Sequence, residues 1–202
     1  MIKNIVFDMG WVLLEYKPEE YARRFVTDEN DVKQICREFF GGPEWPLNDR
    51  GTISEEDFIS KVSARLPSRL HSDVRRLWEE WHHYLKPIES TNRLAIELKE
   101  KGYGIYLLSN VCVKYHIFRT CLPAVAYMDG EFISADIHYI KPEEEIYRQF
   151  FQKFYLNPEE CFFIDDNPDN LAAAASLGMR GFLYEQDTEK LIVALRNQGI
   201  SI

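Results

Sequence analysis

The chain has 202 residues, enough for one domain or for one core with a modest insertion, and 46% of them are hydrophobic. Acidic residues outnumber basic ones by 33 to 24, which gives a formal charge of -9. No cluster of Lys or Arg is dense enough to follow a phosphate backbone, so nucleic acid is not an expected partner. No apolar stretch reaches the length of a membrane span, so no membrane partner is expected either.

The cysteines predict a reducing compartment. They are scattered along the chain with no Cys-x-x-Cys pair, at Cys36, Cys112, Cys121 and Cys161. The first residues, MIKNIVF, are typical of a β-strand rather than of a signal peptide. We therefore expect a cytoplasmic protein whose cysteines are small core or near-core residues.

Five short apolar or aromatic runs predict β-strands, at 3–7, 104–108, 124–128, 161–164 and 181–184. Stretches of helical period lie between most of them, and the clearest cover 89–101, 143–154 and 171–177. Strands that alternate with helices favour a parallel sheet covered on both faces. The predicted fold class is therefore α/β, with a doubly wound, Rossmann-like parallel sheet as its core.

The interval between the first two predicted strands has a different character. It contains no convincing strand, and helical patterns occupy 18–26, 31–40, 55–66 and 70–85. Gly41-Gly42-Pro43, Pro46 and Gly51 interrupt the middle of it. We therefore predict a core domain of residues 1–15 and 88–202, and a small all-helical cap of residues 16–87 inserted after the first strand and lying over the sheet's carboxyl edge.

Polar side chains follow the apolar runs at positions that such a sheet brings together. In an open α/β sheet, ligands bind at the carboxyl ends of the strands, near the point where the strand order reverses. The residues expected there are Asp8, Ser109, Asn110, Lys141, Asp165 and Asp166.

Each of these positions has a structural explanation beside the chemical one. Asp8 and the pair Ser109-Asn110 are typical of turns and helix caps. Lys141 is harder to explain in that way, because the helical pattern beginning at Pro142 leaves a cation at the capping position, where it opposes the helix dipole. Lys141 is therefore expected to bind an anion.

Adjacent carboxylates, Asp165 and Asp166, follow the fourth predicted strand. Asn167, directly before Pro168, already supplies a helix cap, so neither aspartate is needed for that role. Neighbouring carboxylates repel unless a cation neutralises them, and carboxylate oxygens suit Mg²⁺. The sequence therefore predicts a Mg²⁺ site formed by Asp8 and Asp166, with Asp165 nearby.

Together these groups can surround a phosphoryl group. Asp8 can attack phosphorus in line and form an aspartyl-phosphate that water then hydrolyses. The metal and Lys141 supply positive charge, while Ser109 and the backbone N–H of Asn110 supply hydrogen bonds to the phosphate oxygens. The expected activity is that of a Mg²⁺-dependent phosphatase, and the expected partner is a small phosphorylated metabolite.

The same residues lie in motifs that resemble those of the haloacid dehalogenase-like hydrolase superfamily over essentially the whole chain. FDMGWVL is similar to its first motif, LLSN to its second, IKPEEEIY to its third and FFIDDNPDN to its fourth. The subgroup that looks most similar holds the bacterial α-D-glucose-1-phosphate phosphatases and the phosphatase domain of bifunctional epoxide hydrolases.

This resemblance implies roles for the same side chains. It makes Asp8 the nucleophile, and Ser109 and Lys141 phosphate ligands. It also implies a metal site whose ligands are Asp8, the Gly10 carbonyl, Asp166 and, in support, Asp165.

Gly10 departs from the family pattern. Family phosphatases usually carry a second aspartate there, which protonates the leaving oxygen and later activates water. Losing a general acid typically costs ~10²–10⁴-fold in rate, and less when the leaving group is more acidic than an alkoxide, as a sugar anomeric hydroxyl, an enol or a phenol is. We therefore expect a sugar phosphate, preferably a sugar 1-phosphate; Glu15 cannot be placed as a substitute acid.

Two other functions remain open from the sequence. A 2-haloacid dehalogenase needs no metal, so Asp165 and Asp166 would have no role in it. A catalytically weak or silent protein that binds a phosphometabolite or a protein partner is supported only by Gly10. Four polar or aromatic residues of the cap either meet a sugar or, as is more common, only pack and cap: Glu44, Trp45, Asn48 and Arg50. His82-His83 is expected to be an exposed helical pair.

Overall fold

Seven β-strands form two sheets in the computed structural model, which describes residues 1–202. They are β1 (Asn4–Phe7), β2 (Leu14–Glu15), β3 (Lys86–Pro87), β4 (Gly104–Ser109), β5 (Gly130–Ile133), β6 (Cys161–Asp165) and β7 (Arg180–Leu183). Five strands form one parallel sheet in the order β5-β4-β1-β6-β7. Because the chain adds strands first on one side of β1 and then on the other, the predicted doubly wound α/β fold is confirmed.

Eleven α-helices surround the sheets. They are α1 (Pro18–Ala22), α2 (Glu29–Ile35), α3 (Glu44–Asp49), α4 (Glu55–Ala64), α5 (His71–Glu80), α6 (Glu89–Glu100), α7 (Tyr115–Phe118), α8 (Ser134–Ile137), α9 (Glu144–Phe154), α10 (Pro168–Ser176) and α11 (Thr188–Asn197). None of them combines the length and the apolar character that crossing a bilayer requires.

Central strand β1 sets the position of the sheet edge. Ile5, Val6 and Phe7 are fully buried, because helices cover both faces of the parallel sheet. Phe7 is level with Leu107 of β4 and with Ile164 of β6. The residues that follow these three strands therefore emerge side by side at one edge.

One predicted strand is wrong. All but the last residue of the apolar run 124–128 lies in a 3₁₀ helix, Pro123–Tyr127, because Pro123 has its φ preset for a helical start and lacks an N–H for a strand ladder. The edge strand is β5, which begins at Gly130. The ring of Phe154 packs so closely there that a β-carbon would come within 2.2 Å of it.

Several helix boundaries also differ from the predicted ones. The interrupted region around Pro46 forms α3, since proline is tolerated in the first turn of a helix, where N–H groups lack intrahelical partners. The pattern over 70–85 is divided between α5 and a 3₁₀ helix, Trp81–Tyr84. Helix α11 was not predicted; it is capped by Asp187 and buries Leu191 and Leu195.

Strands β2 and β3 pair antiparallel, with Leu14 opposite Pro87 and Glu15 opposite Lys86. This short ribbon brings together the two points where the chain leaves and rejoins the region of the large sheet. Residues 16–87, here called the cap segment, contain five α-helices between these points. The division into a cap of 16–87 and a core of 1–15 and 88–202 stays a prediction.

Candidate active site

Asp8 stands at the carboxyl end of β1, where the buried strand gives way to a tight turn. Its backbone N–H donates to the carbonyl oxygen of Ile164 at 2.8 Å, so pairing with β6 continues to this residue. The turn is closed by the N–H groups of Leu13 and Leu14, which both donate to the Met9 carbonyl. The carboxylate is thereby held at the sheet edge, with 12% of the side chain exposed.

Gly10 is not required by the shape of this turn. A β-carbon built on it has no heavy atom within 4 Å. Trp11, not Gly10, adopts the left-handed conformation, with φ of 57°. A β-carbon therefore fits at position 10, and the glycine leaves open space two residues after Asp8.

Lys141 is the buried cation of the site, with 1% of its side chain exposed. Its Nζ lies 2.8 Å from Oδ1 of Asp8 and 2.6 Å from Oδ2 of Asp165. It also donates to the carbonyl of Leu108 at 3.0 Å. The lysine thus joins the ends of β4, β1 and β6.

The predicted capping position of Lys141 is wrong. Helix α9 begins at Glu144, and Glu143 is its cap residue. The side-chain amide of Asn110 donates to the carbonyl of Lys141 at 2.9 Å and accepts from its N–H at 2.7 Å, which holds this residue outside the helix. Lys141 does bind anions, and in the structure they are the carboxylates of Asp8 and Asp165.

Both carboxylate oxygens of Asp165 have partners within the protein. Oδ2 accepts from Lys141, Oδ1 accepts from the Asn167 N–H at 2.8 Å, and the Asn170 amide donates to both oxygens at 3.0 and 3.1 Å. Asp165 therefore orients Lys141. Sequence reasoning missed Asn170; the available signal was its position in the first turn of α10, which returns its side chain to the strand end. The predicted cap Asn167 is confirmed.

An acidic cluster suited to a metal ion surrounds this lysine. Carboxylate oxygens of Asp8, Asp165 and Asp166 lie within 4.8 Å of one another. Asp166 is half-buried and borders the cavity described below. Because the oxygens of Asp165 are already hydrogen-bonded, Asp8 and Asp166 are the carboxylates best placed to receive a cation, and an all-oxygen donor set fits Mg²⁺.

Charges at the site are not balanced by the lysine alone. Burial raises the pKa of Asp8 to about 7 against the opposing effect of Lys141, and Asp165 raises it further. Burial by itself lowers the pKa of Lys141, but Asp8 and Asp165 outweigh it, so that this pKa lies above its usual value. Burial and Asp165 also raise the pKa of Asp166. A divalent cation would relieve the repulsion among the carboxylates of Asp8, Asp165 and Asp166.

Ser109 ends β4 at the same edge, with only 1% of the residue exposed. Its hydroxyl has no hydrogen-bond partner within the protein. The predicted role of Ser109 as a phosphate ligand stays a prediction.

A cavity of about 170 Å³ opens in front of Asp8. It reaches Asp166 and Asn110 of the sheet edge, and Asp49 at the end of α3 borders it as well. Its aromatic walls come from both parts of the chain: Trp11, Tyr16, Trp45, Trp81 and Phe118. Sequence reasoning considered Trp45 as a residue that can meet the substrate but did not identify Asp49, because no motif or spacing in the sequence marks that residue.

Two of the other cap residues considered from sequence, Glu44 and Arg50, have structural partners. Arg65 pairs with Glu44, and Arg50 pairs with Glu143. Asn48 is buried. The expected exposure of the histidine pair is wrong for His82, which is 7% exposed because the cap segment packs around it.

A parallel α/β sheet that gathers an accessible carboxylate, a buried lysine and an acidic pair at its carboxyl edge defines an enzyme suited to hydrolysis through an aspartate. The chain belongs to the haloacid dehalogenase-like hydrolase family, whose model matches residues 2–178. The resemblance read from the four motifs is therefore confirmed.

Curated relatives extend over almost the whole chain. A sesquiterpene phosphatase of Aspergillus oryzae is 26% identical over 197 residues, covering 96% of this chain and 95% of that protein. A D-ribitol-5-phosphate phosphatase of Bacteroides thetaiotaomicron is 22% identical over 198 residues, covering 94% and 95%. A flavin mononucleotide hydrolase of Arabidopsis thaliana is 28% identical over 160 residues, covering 78% and 63%.

Solved structures share the fold. A HAD family enzyme of Bacteroides thetaiotaomicron in complex with magnesium and inorganic phosphate matches with a TM-score of 0.68 and 21% identity, covering 95% of this chain and 99% of that one. An L-2-haloacid dehalogenase of Xanthobacter autotrophicus with covalently bound chloropropionic acid matches with a TM-score of 0.69 and 17% identity, covering 100% and 85%.

Proposed function

We propose that this protein is a Mg²⁺-dependent phosphatase that hydrolyses a small phosphorylated metabolite through an aspartyl-phosphate on Asp8. The observation that carries the proposal is the position of Asp8, which borders an open cavity while Lys141 lies 2.8 Å from its carboxylate. A nucleophilic carboxylate beside a fixed positive charge is what attack on a phosphate monoester dianion requires.

The residues around Asp8 divide the work of phosphoryl transfer. Asp8 attacks phosphorus while the bond to the leaving oxygen breaks. Lys141, oriented by Asp165 and Asn110, neutralises the negative oxygens, and the unpartnered Ser109 hydroxyl donates a hydrogen bond to them. These groups are held in place before the ligand binds, so little reorganisation is needed.

Asp8, the Gly10 carbonyl and Asp166 would hold Mg²⁺, with Asp165 in support. When bound, Mg²⁺ neutralises phosphate charge and brings the anionic nucleophile and the anionic substrate together. Burial raises the pKa of Asp8 to about 7 and the charge of Asp165 raises it further, so a bound cation would stabilise the charged carboxylate, which supports this proposal.

The leaving group is proposed to be a sugar. Aromatic walls pack well against the C–H faces of a sugar ring. Tyr16 and Trp81 border the cavity, and the Tyr16 hydroxyl and the Trp81 indole N–H are buried without hydrogen-bond partners. A sugar oxygen that reached either group would satisfy it. The relatives named above act on chemically different phosphates, and they support the reaction rather than the substrate.

A metabolite panel tests this function. Phosphate release is measured from α-D-glucose 1-phosphate, glucose 6-phosphate, ribitol 5-phosphate, flavin mononucleotide, farnesyl phosphate and p-nitrophenyl phosphate, with Mg²⁺ or with a chelator. We expect release with Mg²⁺ only, and faster release from the 1-phosphate than from the 6-phosphate. Equal rates for the two glucose phosphates would contradict the leaving-group argument alone.

Alternative functions give different outcomes in the same panel. A silent binding protein releases no phosphate from any ester with Mg²⁺. A dehalogenase releases chloride from 2-chloropropionate and is indifferent to chelation. Either result contradicts the phosphatase.

Replacing Ser109 by Ala is expected to lower kcat for the best substrate by about 10²-fold, as removal of one fixed donor to a reacting oxyanion does. Because the hydroxyl has no partner in the protein, the unfolding temperature should change little. Steady-state kinetics and thermal unfolding check this, with Ser60→Ala on the exposed face of α4 as the control. Unchanged kinetics in Ser109→Ala would remove Ser109 from the site.

A further inference from the structure

Asp49 is an unassigned carboxylate at the candidate site. It is the last residue of α3 in the cap segment and borders the cavity together with Asp8, Gly10 and Asp166. Its carboxylate forms no hydrogen bond and no salt bridge within the protein. The side chain thus has no structural partner that explains it.

The backbone around Asp49 is nevertheless fixed to the chain around β5, α8 and the start of α9. The Ser134 hydroxyl donates to the Asp49 carbonyl at 2.5 Å. Next to it, Arg50 forms a two-point salt bridge with Glu143, at 2.9 and 2.5 Å, and its carbonyl oxygen lies 2.9 Å from Nδ1 of His138. Asp49 is therefore held in position over the sheet edge.

Close packing continues at the following residue. Gly51 has φ of 69°, and a β-carbon on it would come within 2.5 Å of the carbonyl oxygen of Ala135. Only glycine combines this backbone conformation with such a close approach. The cap segment is thereby fastened to the sheet region immediately after Asp49.

The surroundings of Asp49 favour its protonated form. Burial raises its pKa well above the usual value, and the charge of Asp8 raises it further. The other titratable groups at the cavity are Tyr16, Cys112 and Asp166. Burial raises the pKa of Cys112 to about 12, and burial together with Asp49 raises that of Tyr16, so both hold their protons too tightly to exchange them near neutral pH.

Neither Gly10 nor Glu15 supplies a carboxyl group at the cavity. The space beside Gly10 is open, and no carboxylate projects from that residue. Glu15 does not fill the role, since it pairs with Lys17 at 2.7 Å and does not border the cavity. Asp49 is the one remaining carboxyl group at the cavity once Asp8 is assigned as nucleophile and Asp166 to the metal.

We propose that Asp49 is the general acid and base of the reaction, supplied by the cap segment in place of residue 10; this inference rests on the proposed phosphatase activity. In the first step the Asp8–phosphorus bond forms, the bond from phosphorus to the leaving oxygen breaks, and the proton of Asp49 passes to that oxygen. In the second step the water oxygen attacks phosphorus, Asp49 takes a proton from this water, and the Asp8–phosphorus bond breaks. Alcohol and inorganic phosphate leave, and Asp49 is protonated again.

A pair of substrates that differ in their need for a proton tests this role. Benzyl phosphate releases an alcohol, whereas p-nitrophenyl phosphate releases a phenolate that needs no proton, and both present one aromatic ring to the cavity. Asp49→Asn should lower kcat/KM for benzyl phosphate ~10²–10⁴-fold and for p-nitrophenyl phosphate less than about tenfold. Glu79→Gln, on the exposed side of α5, is the control.

The pH profile provides a second measurement. Because the protonated acid is the active form, wild-type kcat/KM for benzyl phosphate should fall as pH rises through the pKa of Asp49. That basic limb should be absent in Asp49→Asn, whereas it should persist in Glu79→Gln. An equal loss with both substrates, or no loss with either, overturns the proposal.

Gly10→Asp provides a rescue. Since a β-carbon fits at position 10, the double variant Gly10→Asp, Asp49→Asn should recover at least about tenfold of the lost benzyl phosphate activity. If the double variant is no faster than Asp49→Asn, a missing proton donor is not the cause of the lost benzyl phosphate activity. If the wild type releases phosphate from neither ester with Mg²⁺, the phosphatase proposal itself fails; if it hydrolyses only p-nitrophenyl phosphate, the role of Asp49 fails alone.

Discussion

Replacing Asp8 by Asn is expected to abolish phosphate release, with a fall in kcat of at least about 10⁴-fold. An amide has nearly the same shape as the carboxylate, but it cannot form the bond to phosphorus. The exposed Asp169 at the start of α10 offers a matched control, and Asp169→Asn should keep wild-type turnover. Turnover that persists in Asp8→Asn would exclude the aspartyl-phosphate.

The same substitution should not destabilise the metal-free protein. With its pKa raised from 3.8 to about 7, Asp8 holds a proton in the folded state that it has lost in the unfolded state between these pH values. Protonation of Asp8 therefore stabilises the wild-type fold at low pH, and this stabilisation is lost as pH rises through that window. Thermal unfolding with a chelator should show Asp8→Asn to be stabilised relative to wild type more at pH 8 than at pH 5; the reverse order would contradict the raised pKa.

Replacing Lys141 by Met is expected to abolish turnover and to destabilise the fold by about 3–5 kcal/mol, the cost typical of removing one partner from a buried ion pair. The substitution leaves Asp165, which is fully buried, and Asp8 without a cation. Because Lys141 lowers the pKa of Asp8, its removal raises that pKa further. The loss of stability should therefore be smaller at pH 5, where Asp8 is protonated, than at pH 8.

Chemical unfolding at the two pH values and steady-state kinetics measure these effects. Lys33→Met, which removes an exposed lysine of α2, is the control and should change neither quantity by more than a small amount. A Lys141→Met protein as stable as the control at pH 8 would show that the lysine does not hold the two carboxylates together.

The sequence predicted most of the sheet because its central strands β1, β4 and β6 are largely buried and their apolar runs are continuous. It failed at 124–128, where an apolar run follows Pro123 and packs mostly as a 3₁₀ helix. The edge strand β5 begins after this run, at Gly130, and has only four residues. Such short elements are decided by neighbours such as Phe154 rather than by their own composition.

The candidate site was predictable wherever a polar residue directly follows a buried strand. Asp8, Ser109 and the pair Asp165-Asp166 are of this kind, since parallel strands in register bring their ends together. Lys141 was found for the wrong reason, because it is held by Asn110 and not by a helix end.

By itself, the sequence determined that this protein is a haloacid dehalogenase-like hydrolase, because the motifs of that family are present and in order. The sequence also shows that residue 10 is a glycine and not an acid. Only the tertiary structure decided what borders the cavity: Trp45 and Asp49 of α3 lie far from the motifs along the chain. They reach Asp8 because α3 is fastened to the sheet region through Ser134 and Glu143.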